Sequence, residues 1–328
     1  MPCLILQGDA QAGQRRELGR ITDCPLLGPD GRKLEALEVN LRSGLFVLVE
    51  TDLFVPGEIP VALTRIYRAG DSKARGFGLS SDHTYNIFPV GDRWPYTYLD
   101  LCFEDGTRIH YDRVSPGVAY RDAIYEHVSP SSPFHESQVE WNGKEWELRR
   151  KDGWLYLFPD AYYTRRWTQP ALVGLRDRHG HLLQMTRDTS GNLRRIESPG
   201  GTWIRLEYRD HSIVRVEDNL GRRVDYDYNG QGRVKSVRNA ESVTEYSYSD
   251  HGQLVALTKN GGSSSLKAQY DSVGRLATLW LPDDRIYRFR YWVESGLKVR
   301  TEVTGPNGEV AVINSSTEGY TVTQGSGR

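Results

Sequence analysis

Apolar and polar residues alternate in short runs along the second half of this chain. In "TWIRLEY", Ile204, Leu206 and Tyr208 share one face while Trp203, Arg205 and Glu207 share the other. In "RVDYDY", Val224, Tyr226 and Tyr228 oppose Arg223, Asp225 and Asp227. In "IYRFRY", Tyr287, Phe289 and Tyr291 oppose Ile286, Arg288 and Arg290. A period of two predicts strands in a sheet buried on one side.

The runs recur at a fixed spacing. Tyr208, Tyr228, Tyr248, Tyr270 and Tyr291 are separated by 20, 20, 22 and 21 residues, and one further step back reaches Arg187. A partial copy begins at Arg176-Asp177. Four residues after the anchor stands Gly191, Gly232, Gly252 or Gly274. Six residues after it stands Leu193, Val234, Leu254 or Leu276, and nine after it Ile196, Val237, Leu257 or Leu279. The Tyr208 copy is one residue shorter, lacks the Gly, and has Ile213 and Val216 at five and eight; at Tyr291 the pattern fades.

Each unit reads as a β-hairpin. The segment Asp271-x-x-Gly274 is a turn, because an Asp side chain mimics a turn hydrogen bond and Gly accepts positive φ. A three-residue gap between the two apolar places breaks strict alternation, which predicts a bulge or bend in the outgoing strand. A lone hairpin is marginal, so the units must pair with their neighbours.

Composition agrees. The chain has 328 residues, with 19 Tyr and 8 Trp against 2 Met, and 33 Gly and 15 Pro that suit many turns. A net charge of −1 comes with no basic stripe, so nucleic acid is not an expected partner. No run approaches the roughly 18 apolar residues of a membrane span. The N-terminus lacks the basic start and long apolar stretch of a signal peptide. The expectation is synthesis in the cytoplasm, with any export left to a dedicated secretion system. Cys3, Cys24 and Cys102 form no C-x-x-C pair; a Cys3–Cys24 bridge and small buried thiols are the two readings, the second the commoner one.

On these motifs, residues from about 175 to 300 resemble the YD repeats of Rhs and teneurin-type proteins. The segment "EVNLRSGLFVLVETDLFVPGEIPVALTRIYRAG" resembles the domain that precedes those repeats, through Val39-Asn40, Gly44, Thr51-Asp52, Pro56-Gly57, and Arg65 with Tyr67. Glu38 stands where that family has Pro, and Gly76-Phe77-Gly78-Leu79 where it has Gly-x-Gly-Trp. The resemblance implies an all-β fold: residues 1–33 as a loosely ordered lead-in, 34–165 as an Rhs-type N-terminal β domain, and 166–328 as YD-repeat hairpins in a curved, spiralling sheet, part of a hollow shell. Tyr208, Tyr228, Gly232, Tyr248, Gly252, Tyr270, Asp271, Gly274 and Tyr291 are the residues that define the repeat.

Candidate chemistry is thin. Asp225, Asp227, Asn229 and Gly230 begin like a calcium loop, but the twelfth place, where a bidentate Glu belongs, is Ser236. His179 and His181 lack a nearby third ligand. "GSSS" at 262–265 reads as a hairpin loop, since no Gly-x-Ser-x-Gly is present. Asp283-Asp284 reads as a turn. The family's self-cut Asp-Pro bond has no counterpart, because the chain holds no Asp-Pro dipeptide. No catalytic residue, cofactor or metal is therefore expected. The expected role is a non-enzymatic scaffold, part of a shell that encloses or presents a second polypeptide, either the remaining shell or a toxin cargo. The alternative is a carbohydrate or cell-surface binding module, with Trp141, Trp146, Trp154, Trp167, Trp203 and Trp280 as stacking surfaces for a glycan.

Overall fold

The structure is a computed structural model that describes residues 6–8, 17–20, 36–41, 43–130, 132–160, 169–262, 264–293, 299–315 and 320–325. Among these no helix occurs and nearly every strand runs antiparallel to its neighbour in sequence. The fold is all-β.

Two sheets carry the fold. The first has six strands and is centred on the long hairpin of Phe46–Val55 with Val61–Arg68. Two short strands, Leu6–Gly8 and Glu17–Arg20, extend it on one side through Ala36–Asn40. The rest of the lead-in, with Cys3 and Cys24, lies outside the described residues, as does Trp167. The second sheet begins at Phe88–Gly91 and continues hairpin by hairpin to Tyr320–Gly325. It runs through Trp146–Arg149 and Leu155–Phe158 into Gly174–Arg176 without a change of pattern. The change from first to second sheet falls after Ser81–His83. The second sheet is open: among the described residues no register joins its first strand to its last.

Its two faces differ as the alternation predicts. Ile204, Leu206, Val216 and Val224 are at most 2% exposed, while Arg205 and Arg223 face solvent. Burying one such aliphatic side chain contributes about 1.5–3 kcal/mol, so the apolar face holds the sheet. On the polar face, cross-strand ion pairs join successive strands, as in Arg205–Glu217 at 2.9 Å and Arg215–Asp225 at 2.6 Å. The first sheet lies on the apolar face, and the two share one core that includes Leu48, Leu63, Tyr67, Tyr226 and Leu254.

The predicted bulge is present in the copies anchored at Arg187, Tyr208, Tyr228, Tyr248 and Tyr270, but not at Tyr291, where the pattern fades. Tyr228 pairs with Val234 but Asp227 with Ser236, leaving Lys235 as an extra residue. The same shift falls at Thr186/Arg187, Glu207/Tyr208, Ser247/Tyr248 and Gln269/Tyr270. One inserted residue turns a spacing of two into three, which is why both apolar places point inward. A bulge also bends its strand and raises the local twist, which curves the sheet.

Candidate functional site: the seam between the two sheets

The turn of each repeat is built by one side chain. Asp271 Oδ1 accepts the N–H groups of Val273 and Arg275 at 3.1 and 2.9 Å, and Gly274, at φ +86°, donates to the Asp271 carbonyl at 3.0 Å. Burial opposes the Asp271 charge, but the Arg275 N–H and guanidinium hold its carboxyl below the usual range. Asn229 makes the same turn through Gln231 and Arg233, followed by Gly232; at Gly252 the Ser249 hydroxyl and carbonyl serve.

The bulge does more than bend the strand. It turns the N–H and the carbonyl of one residue per repeat out of the ladder, and each finds a defined partner. The carbonyl faces the next repeat: Tyr228 donates its hydroxyl to Ile213 O at 2.6 Å, Tyr248 to Val234 O at 2.8 Å, Tyr270 to Leu254 O at 2.8 Å and Tyr291 to Leu276 O at 2.9 Å. The N–H faces the first sheet: Ile213 donates to Gly76 O, Leu254 to the Tyr67 hydroxyl and Leu276 to Gly44 O, each at 2.8 Å. In the Tyr228 copy the turn makes a contact of its own, with Leu79 N donating to Gly232 O at 2.9 Å. Leu172 shows the same division of labour one step earlier, with its N–H on Ile87 O and its carbonyl accepting Arg187 Nε. A buried peptide group left unpaired costs about 1–3 kcal/mol, so the tyrosine and the first sheet together remove the penalty the bulge creates.

The motif residues of the first sheet gather at this seam. Gly78, at φ +77°, lies so close to the repeat that a Cβ there would collide with the Gly232 carbonyl oxygen. Thr301 donates its hydroxyl to Leu41 O. Tyr67 tilts against the Tyr248 ring at 6.2 Å, and burial pushes its hydroxyl up to about 12.

At the centre lies a buried charge network. Arg65 is 2% exposed and binds Asp52 through Nε at 3.0 Å and Glu50 through Nη2 at 2.9 Å. Tyr226 donates to Asp52 Oδ2 at 2.9 Å, and Tyr246 donates to Glu50 Oε2 at 2.6 Å while accepting from Arg65 Nη2 at 2.7 Å. Burial pushes the Asp52 carboxyl up, with Arg65 opposing. Burial also works against the Arg65 charge, but Asp52, Tyr246 and Glu50 raise it well above its ordinary value. Three charges and two phenols satisfy one another, so the network locks the register of one sheet on the other. Alternation places Tyr226 inside, but its partner Asp52 lies 174 residues away in sequence, and Tyr246 and its partner Glu50 are 196 apart.

The remaining candidates have local roles. Asp225 pairs with Arg215, Asp227 accepts from Ser236 Oγ at 3.1 Å, and Asn229 makes its turn. His181 Nδ1 sits 2.9 Å from Asp177 Oδ2 in the turn of the partial copy; that contact, with Glu58 at 3.9 Å, raises its pKa. Asp283 caps Arg285, and Asp284 sits at φ +64°. Cys102 is a free, buried thiol. No group of three or more metal-ligating side chains occurs among the described residues, and no helix there is long and apolar enough to cross a membrane. Of the tryptophans, Trp146 is 3% exposed, Trp203 lies beneath Arg195 and Trp141 beneath Arg121. Trp94, at 73%, and Trp292, at 41%, are exposed, and neither is among the tryptophans named from the sequence.

Comparison with known proteins falls on the same two regions. Residues 220–323 match the Teneurin YD-shell family, and residues 37–111 match DUF6531, a domain of unknown function. No curated protein matches the chain. Among solved structures, a TcdB2-TccC3-Cdc42 crystal structure is 13% identical with a TM-score of 0.36. A Tc holotoxin pore of Photorhabdus luminescens carrying a TccC3 mutation is 14% identical, also at 0.36. Each match covers 94% of this chain, which spans only 16% of the matched chain. The YD-shell match over the hairpins and the DUF6531 match over the first sheet make the chain similar to Rhs and teneurin-type YD-repeat proteins.

Proposed function

We propose that this chain is a structural scaffold, a segment of shell that encloses or presents a partner polypeptide in toxin delivery. The observation that carries the reading is the contrast between the two ends of the long sheet. At one end the edge strand Phe88–Gly91 contains Pro89, which cannot donate to a neighbour. At the other, Tyr320–Gly325 pairs with Val310–Ser315 and, among the described residues, with nothing beyond. Its sequence "YTVTQG" carries no Pro or charge, the usual guards of an edge. Such a strand is built to be continued. The charged side chains at the seam point to the same role, since the buried Arg65 and Asp52 and the half-buried Glu50 hold sheets together.

Hydrogen exchange tests this. In the isolated chain the amides of Tyr320–Gly325 that face away from Val310–Ser315 exchange rapidly, and they become protected when a second polypeptide that continues the sheet binds. A soluble, stable monomer already protected at Tyr320–Gly325 overturns the reading. A glycan-binding role rests on exposed aromatic faces, which Trp94 offers and Trp146 does not.

A further inference from the structure

The departures from the repeat gather in one place. One copy has Arg187 where its successors have Tyr. The next copy lacks its turn Gly, and Asp210 and His211 make that turn at φ +49° and +69°. Tyr208 is also the exception among the anchors: its hydroxyl has no hydrogen-bond partner among the described residues, whereas its four successors each donate to a carbonyl. Arg187, Tyr208, Asp210 and His211 all line a single cleft of about 370 Å³, closed on the other side by Lys73 to Gly76 and by Asp82 and Asn86 of the first domain.

The charges around this cleft are unevenly matched. Asp82 is fully engaged, by Arg75 at 3.3 Å, Asn86 at 2.6 Å and the His83 N–H at 2.9 Å, and Arg75 also holds Asp71 at 2.5 Å. Arg187 is different. Its guanidinium donates to three neutral carbonyls, Leu172 O, Gly191 O and Tyr85 O, and no carboxylate lies within ion-pair distance among the described residues. Five N–H groups on a guanidinium leave two beyond these bonds. Lys73, on the exposed rim, likewise has no ion-pair partner among the described residues. Asp210 is the one acidic side chain of the lining that stands on the exposed rim without a cation.

We propose that this cleft is a binding site for an oxyanion, a carboxylate or phosphate group on a small molecule, held by Arg187, the Tyr208 hydroxyl and Lys73. Two cations without a contacting counter-ion and a phenol without an acceptor line the same cleft. Such charge-assisted bonds are about twice as strong as neutral ones. The volume suits a small ligand.

The test titrates inorganic phosphate, and separately succinate, into the full chain at constant ionic strength set with chloride. Tryptophan fluorescence and the thermal midpoint report binding. Saturable binding of at least one anion is expected, and which binds tighter identifies the group. Arg187→Tyr restores the anchor of the other copies, so the chain keeps its fold through a hydroxyl bond to Leu172 O while binding is lost. Tyr208→Phe and Lys73→Gln each weaken binding about fivefold, the effect of one modest hydrogen bond or rim charge. Absence of saturable binding in the wild-type chain overturns the proposal, as does unchanged affinity in a folded Arg187→Tyr. Should Arg187→Tyr fail to fold, unchanged affinity in the Tyr208→Phe, Lys73→Gln double variant overturns it equally.

Discussion

Two stretches of the same sheet obey the same hairpin rule and end differently. From Arg223 to Val293 each copy has its tyrosine, and each hydroxyl closes on the carbonyl of the copy before. From Arg187 to Asp218 the anchors are Arg187 and an unsatisfied Tyr208, and a cleft opens between the two sheets. The backbone tolerates both because the bulge, not the anchor, sets the register. Arg187 still seals the Leu172 carbonyl, so the difference in anchoring lies at Tyr208, whose hydroxyl closes on no carbonyl among the described residues.

The largest expected effect tests whether the sheets are locked where the copies are regular. Arg65→Ala leaves the buried Asp52 side chain and the half-buried Glu50 without their cation, and urea denaturation should show a loss of about 3–5 kcal/mol. A loss under about 1 kcal/mol removes the network from the account.

The next effect belongs to the irregular stretch. Burial pushes Asp82 up to about 6 from an ordinary 3.8. The folded chain then holds that proton more tightly than the unfolded one. Stability is fully present below about pH 4, falls as pH rises toward 6, and levels off above it. The fall is on the order of 2–3 kcal/mol relative to Asp82→Asn, which should be flat across that window. Parallel profiles of the two proteins count against a buried, titrating Asp82.

Hydroxyl deletion sharpens the contrast itself. Tyr228→Phe, Tyr248→Phe and Tyr270→Phe should each cost about 1 kcal/mol or more, since each strands a carbonyl. Tyr208→Phe should cost close to nothing. Equal losses at all four positions erase the distinction drawn above. The smallest effect lies on the polar face, where Arg205→Ala, breaking an exposed pair with Glu217, should shift stability by less than about 0.5 kcal/mol.

The hairpin, its turn and its bulge were legible because they are local. Alternation in "RVDYDY", the Asp-x-x-Gly turn and the three-residue gap each involve residues within a dozen of one another. The seam was not legible. Arg65 meets Tyr246 across 181 residues, and no spacing rule reaches that far. The motif residues Gly44, Asp52, Arg65 and Tyr67 were visible as a pattern, but their shared purpose needed the second sheet beside them. The cleft was half legible: Arg187 and the short Tyr208 copy stood out as exceptions, but only the fold shows that the exceptions face each other.

Every anchor hydroxyl described here reaches toward the N-terminus, never the reverse. A repeat leaving the ribosome therefore finds its acceptor already made, while it leaves its own carbonyl waiting for a successor. Growth from the first domain outward follows from that polarity, with each finished unit serving as the template for the next.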